Sequence, residues 1–187
     1  NLMKEIGWKF RTEICWYKQN AVGRQTAWGS YCSCSNPTIR RTHEYILLFS
    51  KGDWKLEGDS ELSDMTKEEF CEYTLSTWFI SPETRKMAGH PATYPEKLVK
   101  RLVKLFSYRG DLILDPFNGT GTTTYVAKKL ARSYIGIDVS KDYCKFAKER
   151  IETVVDLFDN EYIPRSKRLG KKKKVKEEKE EDLFNGI

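Results

Sequence analysis

The chain has 187 residues, of which 39% are hydrophobic and five are Trp, enough to bury one ordinary core but not two comfortable domains. Its longest uncharged apolar run, Tyr45 to Phe49, falls far short of a bilayer span, and no basic and apolar leader opens the sequence, so a soluble cytoplasmic protein is expected. The formal net charge is +6, yet nine Lys and Arg stand against five Asp and Glu from Pro164 to Ile187; most of the excess is in the tail, and basicity alone does not establish a nucleic-acid partner.

In chain order, Leu2 to Ile6 reads as a last helical turn closed by Gly7 at the C′ position, and with Asn1 in place of an initiator Met a fragment is expected. Trp8 to Lys18 and His43 to Lys51 are rich in aromatic and β-branched residues and read as strands, joined by a polar loop over 19–41. Residues 53–89 read as an insertion: polar at first, then a short helix opened by a capping box of Thr66 and Glu69, then an extended stretch from Trp78 to Ile80 before Pro82. A second helix is expected to take Pro95 as its first residue and to turn Leu98, Val99, Leu102, Val103 and Phe106 to one face, with Gly110 after its end. Leu112 to Leu114 reads as a short buried strand, Gly119 to Gly121 as a tight loop, Thr122 to Leu130 as a helix and Ser133 to Ile137 as a strand. Ser140 caps a long helix with Tyr143, Ala147, Ile151, Val154 and Phe158 on its apolar face. Residues 164–187 are a low-complexity charged tail. Strand, glycine loop, helix, strand, acid and helix in succession are the grammar of an α/β fold.

Five Cys form an odd set without a CxxC pair, and only His43 and His90 could complete a zinc site, so reduced thiols and no metal are expected.

The informative stretch is DPFNGTGTT from Asp115 to Thr123, with Asp138 following Asp115 by 23 residues in the tripeptide GID. A strand delivers Asp115 to the carboxyl edge of a parallel sheet, where open α/β sheets hold ligands. Gly119 and Gly121 let the backbone turn and approach a ligand, and Asp138 at the end of the neighbouring strand suits a ribose diol. A dinucleotide-binding loop would want a third glycine where Thr124 stands. An acid before the loop repels a pyrophosphate and attracts a sulfonium cofactor bearing an α-ammonium group, which favours S-adenosylmethionine over NAD.

DPFNGTGTT resembles motif I of the DNA amino-methyltransferases, GIDVS resembles their acidic motif II, and His90-Pro-Ala-Thr-Tyr-Pro95 resembles motif X. TAWGS and SNPTIRRTHEYILLFSKG, up to Gly52, resemble later motifs of the family's catalytic domain, so the likeness covers most of residues 1–160. It implies a partial Rossmann-like, three-layer α/β fold with a mostly parallel sheet. Catalytic motifs first, then motif X, then I and II is the order of the permuted class called β, so the chain resembles its C-terminal part: 1–52 the end of the catalytic region, 53–89 an insertion and target-recognition element, and 90–163 the cofactor-binding region.

The family's catalytic signature ends in Pro-Pro and an aromatic residue, and no two of the six prolines here are adjacent. No catalytic residue is therefore assigned, and the signature is expected from a missing N-terminal segment or a second chain. The resemblance implies cofactor contacts from Asp115, Pro116, Phe117, Asn118, Gly119, Gly121, Thr122 and Thr123, a ribose held by Asp138, and a methionine end lined by His90, Pro91 and Ala92. For DNA, the 19–41 loop offers Arg24, Gln25, Arg40 and Arg41, types that grip phosphates or read base edges. The implied activity is methyl transfer from S-adenosylmethionine to N4 of cytosine or N6 of adenine in double-stranded DNA with a flipped target base, in a prokaryotic restriction-modification setting; the His-Pro-Ala form of motif X leans towards cytosine. The rivals are a non-catalytic DNA-binding or regulatory subunit that keeps the fold, and a dinucleotide-binding protein.

Overall fold

The computed structural model describes residues 2–18, 29–83 and 94–154. A single helical turn, α1 (Leu2–Glu5), ends at Gly7 with φ at 88°. β1 (Trp8–Tyr17) then pairs antiparallel with β2 (His43–Lys51), Tyr17 opposite His43 and Trp8 opposite Lys51, with a register shift between Phe10 and Thr12. The period of two turns Ile14 and Trp16 of β1 inward.

Residues 53–83 are more than an addition to the surface. The capping box forms as expected, the Thr66 side chain accepting from Glu69 N and the Glu69 carboxylate from Thr66 N, and it opens α2 (Lys67–Tyr73). β3 (Thr77–Phe79) follows and pairs parallel with β1, giving the order β2-β1-β3. Trp78 is fully buried beside Trp16, whose indole N–H donates to the Ile80 carbonyl at 2.7 Å. The extended stretch expected from Trp78 to Ile80 is thus present one residue earlier, but three residues are too short to carry a period, and its parallel pairing with β1 was not legible in the sequence.

The helix α3 (Glu96–Phe106) has Pro95 at its N-cap, one place earlier than expected. Its Leu98 joins the core of the first sheet, while Val99 and Val103 join a second cluster with Val126 and Leu130. Thus one helix, apolar over a wide arc, serves two sheets. Phe106 leaves that arc and lies outward, with the Arg11 guanidinium 5.9 Å from its ring.

The second sheet is a parallel pair, β4 (Leu112–Asp115) and β5 (Ser133–Gly136), Leu112 opposite Ser133 and Asp115 opposite Gly136. The helices α4 (Thr122–Lys129) and α5 (Lys141–Glu152) complete the unit. β4 is not the buried strand that its sequence suggests. Ile113 faces α3 and α4, but Leu112 and Leu114 on the other side are 59% and 58% exposed. Among the described residues, β2, β3, β4 and β5 each have one edge without a strand partner.

Arg132 ties these parts together. Its buried guanidinium donates to both carboxylate oxygens of Asp64, at 2.6 and 2.9 Å, and to the carbonyls of Ser107 and Leu130. No described helix is long and apolar enough to cross a membrane.

Candidate functional site

β4 ends at Asp115, and the chain then bends over Gly119 and Gly121, whose φ angles are 49° and 80°. Such angles favour glycine. At Gly121 a Cβ would also stand 2.6 Å from the Cβ of Ala147, so α5 leaves no room for a side chain there. The bend delivers Thr122 and Thr123 to the first turn of α4.

Two carboxylates flank this bend. One oxygen of Asp115 accepts from Phe117 N at 2.9 Å and the other from the Tyr94 hydroxyl at 3.0 Å. One oxygen of Asp138 accepts from Gly119 N and the other from Ser140 N, both at 2.8 Å. Asp138 therefore shapes the loop itself, through both of its oxygens.

Asn118 is turned inward. Its side-chain oxygen accepts from the buried Thr124 hydroxyl at 3.0 Å, and its amide lies where a Cβ on Gly136 would come within 2.5 Å. Thr124, at the place of a dinucleotide loop's third glycine, packs its methyl toward the same Gly136. Here the close approach of helix and strand is achieved by a glycine in the strand instead of one in the helix.

The structure brings Asp115, Pro116, Phe117, Asn118, Gly119, Gly121, Thr122, Thr123 and Asp138 together around one bend, with Phe117 86% exposed. His90, Pro91, Ala92, Arg24 and Gln25 lie outside the described residues. Arg40 and Arg41 lead into β2 just before His43.

Sequence reasoning overlooked two residues. Tyr94 donates to Asp115 and lies 2.7 Å from the Thr123 hydroxyl. Burial pushes its phenol up to about 12 from 10.0; the nearby Asp115 charge adds to this, and the hydrogen bond with Thr123 opposes it. Arg150 of α5 donates to the Thr120 carbonyl at 3.3 Å and the Thr122 hydroxyl at 3.2 Å, pairs with Glu96, and lies over the Tyr125 ring. These contacts join residues far apart in sequence, and only the tyrosine's place inside the proline-flanked motif could have drawn attention to it.

Fold and bend define an α/β domain of the Rossmann-like methyltransferase type. A family model described as DNA methylase, of the N6/N4 kind, matches residues 1–149, and the chain belongs to that family. It is 33% identical over 161 residues to the type II methyltransferase M2.DpnII of Streptococcus pneumoniae, covering 80% of this chain and 54% of that protein. To the type II methyltransferase M.HpaI of Haemophilus parainfluenzae it is 28% identical over 169 residues, covering 85% and 50%. Among solved structures it resembles a putative DNA modification methylase of Thermus thermophilus complexed with S-adenosyl-L-methionine, with a TM-score of 0.62 and 29% identity over 79% of this chain and 55% of that one. The chain spans about half the length of the curated relatives it matches.

Proposed function

We propose that the chain is the cofactor-binding, C-terminal part of a permuted DNA amino-methyltransferase, which moves a methyl group from S-adenosylmethionine to N4 of cytosine or N6 of adenine in double-stranded DNA. The observation that carries this reading is the bend at Gly119 and Gly121 with a carboxylate on either side. Asp115 offers its remaining acceptor sites to an α-ammonium group, and Asp138, a carboxylate just past the end of the neighbouring strand β5, would take the ribose hydroxyls. Both charges disfavour a pyrophosphate in the same place. Thr122, Thr123 and the backbone from Pro116 to Gly121 would line the cofactor, with Phe117 exposed beside it and His90, Pro91 and Ala92 at the methionine end. When bound, S-adenosylmethionine supplies an electrophilic methyl.

Transfer also needs a group that accepts hydrogens from the exocyclic amine, because its lone pair is delocalised into the base ring and must be freed as the bond forms. In this family the Pro-Pro signature carries that group and stacks the flipped base. A segment beyond these residues, upstream in the same polypeptide or in a second chain, would supply it. A large groove supports this: it runs along Ile46 to Lys51 of β2, over Val99, Leu102 and Val103 of α3, to Ile113 of β4, and reaches Tyr94 and Thr123 at the bend. An apolar groove bordered by unpaired strand edges is shaped for more sheet. Arg24, Gln25, Arg40 and Arg41 are proposed to face DNA, together with parts of 53–89.

Calorimetry on the complete protein tests the reading. S-adenosylmethionine and its demethylated product are taken up and NAD is not, while Asp115→Asn and Asp138→Ala each weaken uptake by about tenfold or more. Uptake of NAD alone overturns the assignment. Labelled methyl transfer to DNA then identifies the base, and Ala at Arg40 and Arg41 lowers the salt dependence of DNA binding. Donor uptake without transfer to any DNA would instead assign a non-catalytic, regulatory subunit.

A further inference from the structure

Three elements that are separate in sequence meet at one hydroxyl. Tyr94 immediately precedes the cap of α3, Asp115 ends β4, and Thr123 stands in the first turn of α4; the Tyr94 oxygen is 3.0 Å from Asp115 Oδ2 and 2.7 Å from Thr123 Oγ1. A carboxylate can only accept, so the single phenolic proton goes to Asp115 and the Thr123 hydroxyl donates to Tyr94. The order of donation is fixed: Thr123 to Tyr94 to Asp115. Meanwhile Phe117 N holds the other carboxylate oxygen at 2.9 Å. Gripped at both oxygens, the carboxylate has one orientation. The ring of Tyr94 packs against the apolar clusters of both sheets, so the hydroxyl is itself held from behind.

We infer that Tyr94 is a positioning residue that sets the Asp115 carboxylate for the amino-acid end of the cofactor, and so makes the site selective for ligands bearing an α-ammonium group. The inference rests on the proposed methyltransferase reading. A hydroxyl contributes here through the orientation of a charged acceptor, which acts on an ammonium and is indifferent to an adenosine moiety. The high phenol pKa agrees with a proton that stays on Tyr94 throughout the working range.

The test uses the complete protein and two probes: S-adenosylhomocysteine, which carries the α-ammonium, and methylthioadenosine, which keeps the nucleoside and sulfur but lacks the amino-acid end. Tyr94→Phe retains the packed ring and removes the hydroxyl; Thr123→Val removes the donor at the far end of the chain and is expected to act in the same direction, less strongly. By calorimetry, Tyr94→Phe weakens S-adenosylhomocysteine about tenfold and leaves methylthioadenosine within about twofold, at an unchanged melting temperature. Equal weakening of both probes would make Tyr94 a structural residue only, and no change in either would remove it from the site; either result overturns the inference while leaving the methyltransferase reading intact. If the unaltered protein takes up neither probe, the failure lies in that reading, and the inference falls with it.

Discussion

Gly121 shows how closely the bend is tied to its surroundings. Its φ of 80° costs an L-residue about 1–2 kcal/mol, and its Cβ would meet Ala147 at 2.6 Å. Gly121→Ala is therefore expected to destabilise the protein by about 3 kcal/mol, read as a lower urea midpoint at unchanged slope. The sequence made this glycine legible as a place where the backbone turns, but ascribed its smallness to a ligand. The neighbour that excludes a side chain is α5, whose approach depends on packing that no local pattern encodes. Thr124 is a similar case: its departure from a dinucleotide fingerprint was readable, whereas its compensation by Gly136 in β5, through Asn118, was not.

Among the elements, α2 separates what is local from what is not. Thr66 and Glu69 are three residues apart, and that spacing alone fixes both bonds of the capping box. Glu69 then does more, because α2 lies against α3: its carboxylate accepts from Lys104 at 2.7 Å and pairs with Lys100 at 3.2 Å. Burial by itself raises this carboxyl, but the Lys104 hydrogen bond, the Thr66 N–H and the lysine charges outweigh it and hold the group at about 2 against an ordinary 4.5. A carboxyl depressed on folding contributes its full stability above its unfolded value and loses it as the pH falls toward the folded one. Glu69 is thus expected to contribute about 2 kcal/mol at neutral pH, allowing for solvent screening, and to lose that contribution between about pH 4.5 and pH 2. Glu69→Gln should be less stable than the parent at pH 7 and converge on it near pH 2, as measured by denaturant unfolding across that range. A constant difference at every pH would mean that packing, and not charge, sets the effect. The short strand β3 is the converse: its existence depends wholly on β1, far upstream in sequence at the pair Cys15 and Thr77, which only the fold brings together.

For the molecule as a whole, an α/β sheet is stable when both faces are covered. In this structure α3 and α4 cover the Ile113 side of β4, while the opposite side presents Leu112, Leu114, Ile135 and Ile137 to solvent. The sequence showed these residues as apolar and so suggested burial; among the described residues no helix or strand covers them. If the proposed additional segment covers that face in the complete protein, Leu114→Lys puts an unpaired charge into a packed interface there and should cost about 3 kcal/mol or more, lowering Tm by several degrees. In a polypeptide limited to these 187 residues the same position meets water, so the substitution should leave the unfolding midpoint nearly unchanged and reduce self-association through the apolar face, visible by sedimentation. Comparing the two backgrounds separates a covered face from an open one: equal tolerance in both would mean that Leu114 remains solvent-exposed in the complete protein, and that the third layer must be sought elsewhere.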